Sequence, residues 1–303
     1  MTDARHIPVL LDETMHYLDV GRMGTYIDCT LGMAGHSLEI LKRNPKSRII
    51  GLDLDEKSLL LARKTLLPYT ERAQLYHSDF RYLPDLNIDY SEIRGVLIDL
   101  GISSYQLDSP DRGFSHSVSG PIDMRMDLRS KLTAGRIINK YSEFRLAEIF
   151  HNYGELRQAK RLAREIVSRR RLKPIEDTVQ LRRLVEEVCR WRAERGKIHP
   201  ASKVFLSLRI EVNQELKDLD EFLVRVINLM PKGCRIVVIS FHSLEDRIIK
   251  QTFAGLSSDK ECLPCLRILT KKPVTPGEQE IKDNFRSRSA KLRAAETLQR
   301  QPE

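Results

Sequence analysis

No stretch of this 303-residue chain is apolar over the ~20 residues that a membrane span requires. Its opening, Met1-Thr-Asp-Ala-Arg-His6, lacks the basic-then-apolar design of a secretory signal. Those absences lead us to expect a cytoplasmic protein without a membrane partner. Cysteine is scarce: Cys29, Cys189, Cys234, Cys262 and Cys265 are the five. An odd number, mostly in apolar surroundings, suits reduced thiols rather than a disulfide framework. Cys262-Leu-Pro-Cys265 has a metal-like spacing, but a structural zinc needs four ligands. Neither a second pair nor a downstream histidine completes the set, so no metal is expected. No internal repeat or low-complexity tract is present.

What is abundant is positive charge, and its placement matters more than its total of +9. From Leu156 to Lys197 there are fourteen Lys/Arg against six Asp/Glu, and from Lys271 to Arg300 eight against four. The rest of the chain is slightly acidic. Concentrated positive charge is the footprint of a polyanion partner. Charge alone is equally consistent with solvated helix faces laced with ion pairs.

Residues 25 to 99 alternate between strand and helix patterns. Tyr26-Ile-Asp-Cys29, Arg48-Ile-Ile-Gly-Leu52, Ala73 to His77 and Gly95 to Asp99 read as strands. A glycine-containing turn at Leu31-Gly-Met-Ala-Gly-His36 leads to a helix that Ser37 should cap. This alternation predicts a parallel, doubly wound sheet. From Ser142 to about Leu229 nearly everything reads as amphipathic helix, broken at Gly154, Pro174, Gly196 and Pro200. Strand character returns at Cys234-Arg-Ile-Val-Val-Ile-Ser240, with a weaker candidate at Ile268-Leu-Thr270. The expected architecture is an α/β, Rossmann-like domain formed by residues 1–110 and 205–303. A helical insertion, residues 111–204, interrupts it.

The long polar run from Asp99 to Asp127 leaves the carboxyl end of a central strand, where ligands sit in open α/β sheets. Long connections in compact domains are usually functional or disordered. Asp28 and Asp53 end the first two strands, and Gly32 and Gly35 shape the intervening turn. Glycines let backbone approach a ligand at a helix start, and a carboxylate at the second strand tip can accept both ribose hydroxyls. The pattern serves NAD and S-adenosylmethionine alike. Three details favour the latter. The turn lacks the full G-x-G-x-x-G spacing wanted by a pyrophosphate, Asp28 suits a cationic ligand, and Ser78-Asp79-Phe80 offers a seat for adenine.

Several strings then resemble the MraW/RsmH family over essentially the whole chain. They are His6-Ile-Pro-Val-Leu-Leu11, Thr30-Leu-Gly-Met-Ala-Gly-His-Ser37, Asp99-Leu-Gly-Ile-Ser-Ser-Tyr-Gln-Leu-Asp108, Arg112-Gly-Phe114, Gly120-Pro-Ile-Asp-Met-Arg-Met-Asp127, His199-Pro-Ala201 and Ser240-Phe-His-Ser-Leu-Glu-Asp-Arg247. The resemblance implies a class I S-adenosylmethionine-dependent methyltransferase acting on N4 of a cytidine in the decoding centre (P site) of small-subunit (16S) ribosomal RNA. It implies that Ala34, Gly35 and His36 line the methionine end of the cofactor and that Asp53 holds the ribose. Phe80 would contact the adenine region, and Asp99 and Gln106 would complete the pocket. The partner would be the ribosomal RNA or a 30S-type particle, and the family suggests a homodimer. Ala34, Tyr105 and Phe285 depart from the family pattern, standing where it commonly has glycine, proline and proline.

An exocyclic amine is a poor nucleophile because its lone pair is delocalised into the ring. Acceptors that hydrogen-bond the amino group favour a localised lone pair, a role open to Asp99 with the hydroxyls of Ser103 and Ser104. Asp123 or Asp127 could instead lie nearer the cytosine. His242 either lines the substrate side or is structural, and Arg125 and Arg247 either meet phosphates or pair with acids, the latter favoured for Arg247. Arg169, Arg170, Arg171, Lys173, Arg182, Arg183, Arg190 and Arg192 are candidates to grip phosphates, and Trp191 is expected to pack in the insertion's core. A nicotinamide-dependent oxidoreductase and a non-catalytic RNA-binding factor with a vestigial pocket are the competing readings.

Overall fold

The computed structural model describes residues 7–192, 198–258 and 265–298. Cys262, Gly196 and His6 therefore lie outside the described residues. The chain forms two compact units, Met1–Gly101 with Asp218–Glu303, and Ile102–Lys217.

The first unit is built on a seven-stranded sheet of order β3-β2-β1-β4-β5-β7-β6. β1 (Thr25–Asp28), β2 (Arg48–Asp53), β3 (Ala73–His77), β4 (Ile93–Asp99) and β5 (Arg235–Ser240) are parallel. β6 (Leu266–Ile268) and β7 (Lys291–Thr297) complete one edge in antiparallel pairing. Strands buried on both faces need apolar residues at consecutive positions, and Val96-Leu97-Ile98 and Ile236-Val237-Val238-Ile239 meet that demand. On one face α1 (Leu11–Leu18), α2 (Gly35–Arg43) and α3 (Glu56–Thr65) bury Met15, Leu18, Ile40, Leu41 and Leu59. On the other, α10 (Leu219–Leu229) and α11 (Ser243–Ser257) bury Phe222, Val226, Ile249 and Phe253. The result is the Rossmann-like sheet with helices on both faces that the strand–helix alternation predicts.

The chain winds outward from β1 to β3, then returns to β4 on the other side of β1. That reversal opens a crevice at the carboxyl ends of β1 and β4, the usual seat of ligands in such sheets. In this register Asp28 stands beside Gly51 and Leu97, and Asp99 beside Ile239.

β7 is not among the strands expected from the sequence. Lys291-Leu-Arg-Ala-Ala-Glu-Thr297 is rich in helix formers, yet it pairs along the whole of β5. Ala294 and Ala295 are fully buried there, so small side chains serve packing between strands and helices. The strand expected at residues 268–270 sits slightly earlier, at β6.

The second unit is helical: α4 (Ser104–Asp108), α5 (Ala134–Lys140), α6 (Glu143–Asn152), α7 (Ala159–Leu172), α8 (Thr178–Cys189) and α9 (Pro200–Asn213). Ile137, Leu146, Phe150, Leu162, Ile166, Leu181, Val185, Val204 and Leu208 form its core. Thr133, Ser142, Asp177 and His199 cap α5, α6, α8 and α9 with side-chain acceptors, the residue types that helix starts prefer. Pro200 opens α9 at a position where a proline's missing N–H costs nothing; it does not break a helix. Phe205, Leu208 and Val212 of α9 all join this core. The units consequently divide after residues 101 and 217, and not after 110 and 204. Among the described residues, no helix is long and apolar enough to cross a membrane.

Candidate active site

Asp53, Asp28 and Asp99 terminate the three adjacent strands β2, β1 and β4. Each is held in a different way. Asp53 accepts the Gly32 N–H on Oδ2 at 2.7 Å and the Asp55 N–H on Oδ1 at 2.8 Å. A carboxylate oxygen has two acceptor directions, so each oxygen keeps one for a further donor. Asp28 accepts the Ser37 hydroxyl at 2.7 Å and the Thr30 N–H at 3.3 Å. Asp99 donates its own backbone N–H to the Thr30 hydroxyl at 2.6 Å. Its Oδ1 is buried and has no hydrogen-bond partner.

The turn after β1 brings backbone close to these acids. Ala34 stands at φ 65°, ψ 31°, in the left-handed region, and begins α2 without a side-chain cap. That conformation explains why a glycine is the commoner choice there. Ser37 does not cap the helix as its position suggested. The helix starts two residues earlier, at Gly35, and the hydroxyl turns inward to Asp28. His36 is 6% exposed, with Nε2 at 3.0 Å from the Val9 carbonyl and Nδ1 at 3.8 Å from Asp99 Oδ2. A carbonyl can only accept, so Nε2 carries the proton and Nδ1 faces Asp99. Phe80 packs edge-on against Phe222, with ring centres 4.8 Å apart, and remains partly accessible. Beside it Asp79 is taken up by Arg81, whose Nε lies at 2.9 Å.

Burial pushes the Asp53 carboxyl up to about 7, against the hydrogen bonds from Asp55 and Gly32. Burial likewise raises Asp28 to about 6, opposed by Ser37 and Thr30. Asp99 is raised well above the usual carboxylate range by burial, then by Asp28 and Glu245. Asp28 is buried and Asp53 and Asp99 are partly buried; none of the three pairs with a lysine or arginine among the described residues, and one has a bare acceptor oxygen. The donor set fits S-adenosylmethionine: free acceptor directions on Asp53 for ribose hydroxyls, and acidic walls for a sulfonium and an ammonium.

This electrostatics gives a pH prediction. A carboxyl whose value is raised in the fold adds stability below its unfolded value near 4; that contribution is lost as pH rises through about 7 for Asp53. A cationic ligand reverses the penalty only for the ionised acids. S-adenosylmethionine should therefore bind about ten-fold more weakly at pH 6 than at pH 8, for one such group held near 7. Calorimetry in buffers of different ionisation enthalpy should show proton release on binding. Proton uptake would contradict the assignment.

His242 in the same unit is the N-cap of α11, accepting the Glu245 N–H on Nδ1 at 3.3 Å. Glu245, almost fully buried, accepts the Phe241 N–H at 2.9 Å. The structural role open to His242 is thus accounted for. Arg247 is exposed and forms no ion pair among the described residues, contrary to the pairing expected of it. The nearby acid Asp246 is instead engaged by Arg293 at 2.7 Å.

The remaining candidates belong to the helical unit. Ser103 and Gln106 form a reciprocal capping box on α4: Gln106 N–H to Ser103 Oγ at 3.2 Å, Ser103 N–H to Gln106 Oε1 at 3.0 Å. Ser104 begins that helix, half-buried. Asp123 is gripped by Arg125 through two bonds of 2.8 Å, and Asp127 pairs with Arg129 at 2.9 Å. Both acids are thereby neutralised locally. Arg112, 2% exposed, donates to the Arg125 and Met126 carbonyls. Gly113 has φ +69°, and a Cβ there would meet the Pro121 carbonyl oxygen at 2.1 Å. The Arg112-Gly-Phe114 string therefore shapes this connection from inside. Asn213 supports it by bonding Met126 N–H and the Met124 carbonyl.

Among the basic candidates, Arg169 is paired with Glu165 and Glu187, and Arg182 lies 3.5 Å from Glu186. Arg170 donates to the carbonyls of Ile138 and Tyr141. These three hold the unit together. Arg171, Lys173, Arg183, Arg190 and Arg192 are exposed and have no ion pair among the described residues. Trp191 packs edge-on against His199, ring centres 5.1 Å apart. Sequence reasoning gave no separate role to Thr30 or Arg112; only their spatial partners reveal them. The described cysteines, Cys29, Cys189, Cys234 and Cys265, are free thiols.

A family model described as the MraW methylase family matches residues 3–298. Ribosomal RNA small subunit methyltransferase H of Carboxydothermus hydrogenoformans is 45% identical over 306 residues, covering 97% of this chain and 98% of that protein. The protein of the same name from Clostridioides difficile is 42% identical over 307 residues, covering 97% and 99%. Among solved structures, an rRNA methylase from Streptococcus thermophilus superposes with a TM-score of 0.42 at 10% identity, over 97% of this chain and 99% of that one.

Proposed function

The chain belongs to the MraW methylase family, its cofactor is S-adenosylmethionine, and from that premise we propose that it methylates N4 of a cytidine in the decoding centre of small-subunit ribosomal RNA. The Asp99 carboxylate carries this reading: its side chain is 24% exposed, and one of its oxygens has no donor among the described residues. An acceptor without a donor, at the strand end beside the cofactor acids, is what an exocyclic amine requires. When bound, S-adenosylmethionine supplies a methyl already activated by its sulfonium. Alignment of the amine with that methyl then accounts for much of the rate.

The Asp99 carboxylate accepts one amino hydrogen, which draws the nitrogen lone pair out of conjugation. As nitrogen gains the methyl, the carbon–sulfur bond would break with its electron pair left on sulfur, and the proton of the now acidic nitrogen passes to the Asp99 carboxylate. A carboxyl raised in its environment holds that proton well, while the sulfonium of a bound cofactor would keep it ionised beforehand. The Arg125 pairing argues against Asp123 in that role, because its charge is already compensated by a guanidinium. Ala34, Gly35 and His36 would enclose the methionine end, Asp53 the ribose and Phe80 the adenine.

The substrate would be the ribosomal RNA or a 30S-type particle, gripped through the phosphates by Arg171, Lys173, Arg183, Arg190 and Arg192. Such contacts are salt-sensitive and tolerant of sequence. Selection would come from an unstacked cytidine entering the pocket. The test is mass spectrometry of rRNA nucleosides from cells lacking the protein. Loss of an N4-methylated cytidine, restored by the wild-type gene, is expected; an unchanged profile overturns the proposal.

A further inference from the structure

Phe285 is an exposed aromatic that neither the core nor the cofactor site uses. It opens the short turn Phe285–Ser289 and is 69% exposed. The turn is held firmly on its inner side. Asn284 accepts the Arg286 N–H at 3.3 Å and donates to the Ile7 carbonyl at 3.1 Å. Ser287 is buried and donates its hydroxyl to the Asn284 carbonyl at 2.8 Å. A phenyl ring on a fixed turn loses little freedom when something covers it. The Arg288 guanidinium lies 5.8 Å from the ring centre, within cation–π range, and Arg286 and Arg288 are both exposed.

The location connects this ring to the chemistry. Lys291 begins β7 opposite Ser240, the carboxyl end of β5. In the parallel register, that is the same edge of the sheet at which Asp99 ends β4. Ala290 packs in the cluster that holds Ala34, Val9 and Leu10. The turn thus projects from the cofactor edge of the same unit.

We propose that Phe285 and Arg288 form a stacking platform for an unpaired base of the substrate RNA, beside the methyl-transfer site. The inference rests on the RNA-methyltransferase reading and adds a contact outside the helical unit. The ring takes the face of a base, and the guanidinium adds cation–π attraction and charge for the adjacent phosphate. Charge complementarity favours RNA over a second copy of this chain. The segment from Lys271 to Arg300 carries eight basic and four acidic residues, and a self-complementary interface would set like charges against each other.

The test compares wild-type protein with F285A, F285P and F285W, using a labelled single-stranded RNA of small-subunit sequence. Binding is read by anisotropy, methylation as separate kcat and KM, and association by sedimentation velocity. Proline suits the first position of a helical turn, so F285P removes the ring without loosening the backbone. F285A and F285P should each weaken RNA binding by about ten-fold, a typical loss of one stacked base. The effect should fall on KM, with S-adenosylmethionine affinity unchanged, and F285W should restore wild-type binding. Unchanged RNA affinity in F285A overturns this inference alone, as does an effect confined to self-association. Wild-type protein that neither binds nor methylates RNA overturns the functional reading with it.

Discussion

Replacing Asp99 by alanine or asparagine should lower the rate of methyl transfer by roughly 10²–10⁴-fold, the range for a positioned group that handles a proton. The protein should stay folded. Asp99 Oδ1 has no internal partner, and its carboxyl is raised by burial and by neighbouring acids. Removing such a charge relieves a penalty at neutral pH, because an acid raised in the fold costs stability once it is forced to ionise. The melting temperature should hold or rise as the rate falls. Asparagine is the sharper variant: it keeps the shape but can turn an N–H toward the substrate amine. Single-turnover methylation at saturating cofactor measures the effect. A rate within three-fold of wild type would remove Asp99 from the chemistry, whatever its part in cofactor binding.

The second large effect is expected at Asp53. Alanine there should weaken S-adenosylmethionine binding by about 100-fold, since hydrogen bonds to a charged group are worth ~1.5–3 kcal/mol each and solvent competes for part of that. It also removes the anchor of the Gly32 and Asp55 N–H groups, so the turn over the cofactor loosens. Asparagine keeps one acceptor oxygen and should lose about ten-fold. Isothermal titration gives both values. Turnover at saturating cofactor should recover in D53N, which separates binding from chemistry. An alanine variant that binds as tightly as wild type would show that the strand-end acid holds nothing.

These two acids were legible because strand ends carry a local signature. An apolar run that stops at an aspartate places that carboxylate at the carboxyl edge of a parallel sheet, and β2 and β4 do so. The glycine turn after β1 was legible for the same reason. Ser37 was misread because the capping preference is local too, while its actual partner is Asp28 on the preceding strand. β7 escaped because alanine, lysine and glutamate favour helix in isolation. Its strand state comes from pairing with β5, far away in the chain. The basic insertion divided in a way that no count of charges foresees: Arg169, Arg170 and Arg182 are engaged by acids and carbonyls of their own unit, and Arg171 and Lys173 face solvent.

Hydrophobic period, turn residues and the order of motifs were enough to determine a parallel α/β domain, a helical insertion, the sheet edge at which the candidate acids lie and the family. All of these are written in neighbouring residues, and local sterics and burial act on them directly. The tertiary structure decided which groups are free to act. It took Asp123 and three arginines into ion pairs and backbone contacts and made His242 a helix cap. It gathered Asp28, Asp53 and Asp99 from separate strands into one edge and left an oxygen of Asp99 bare. Desolvation and partner choice depend on residues distant in sequence, so the chemistry of those acids exists only once the sheet has formed.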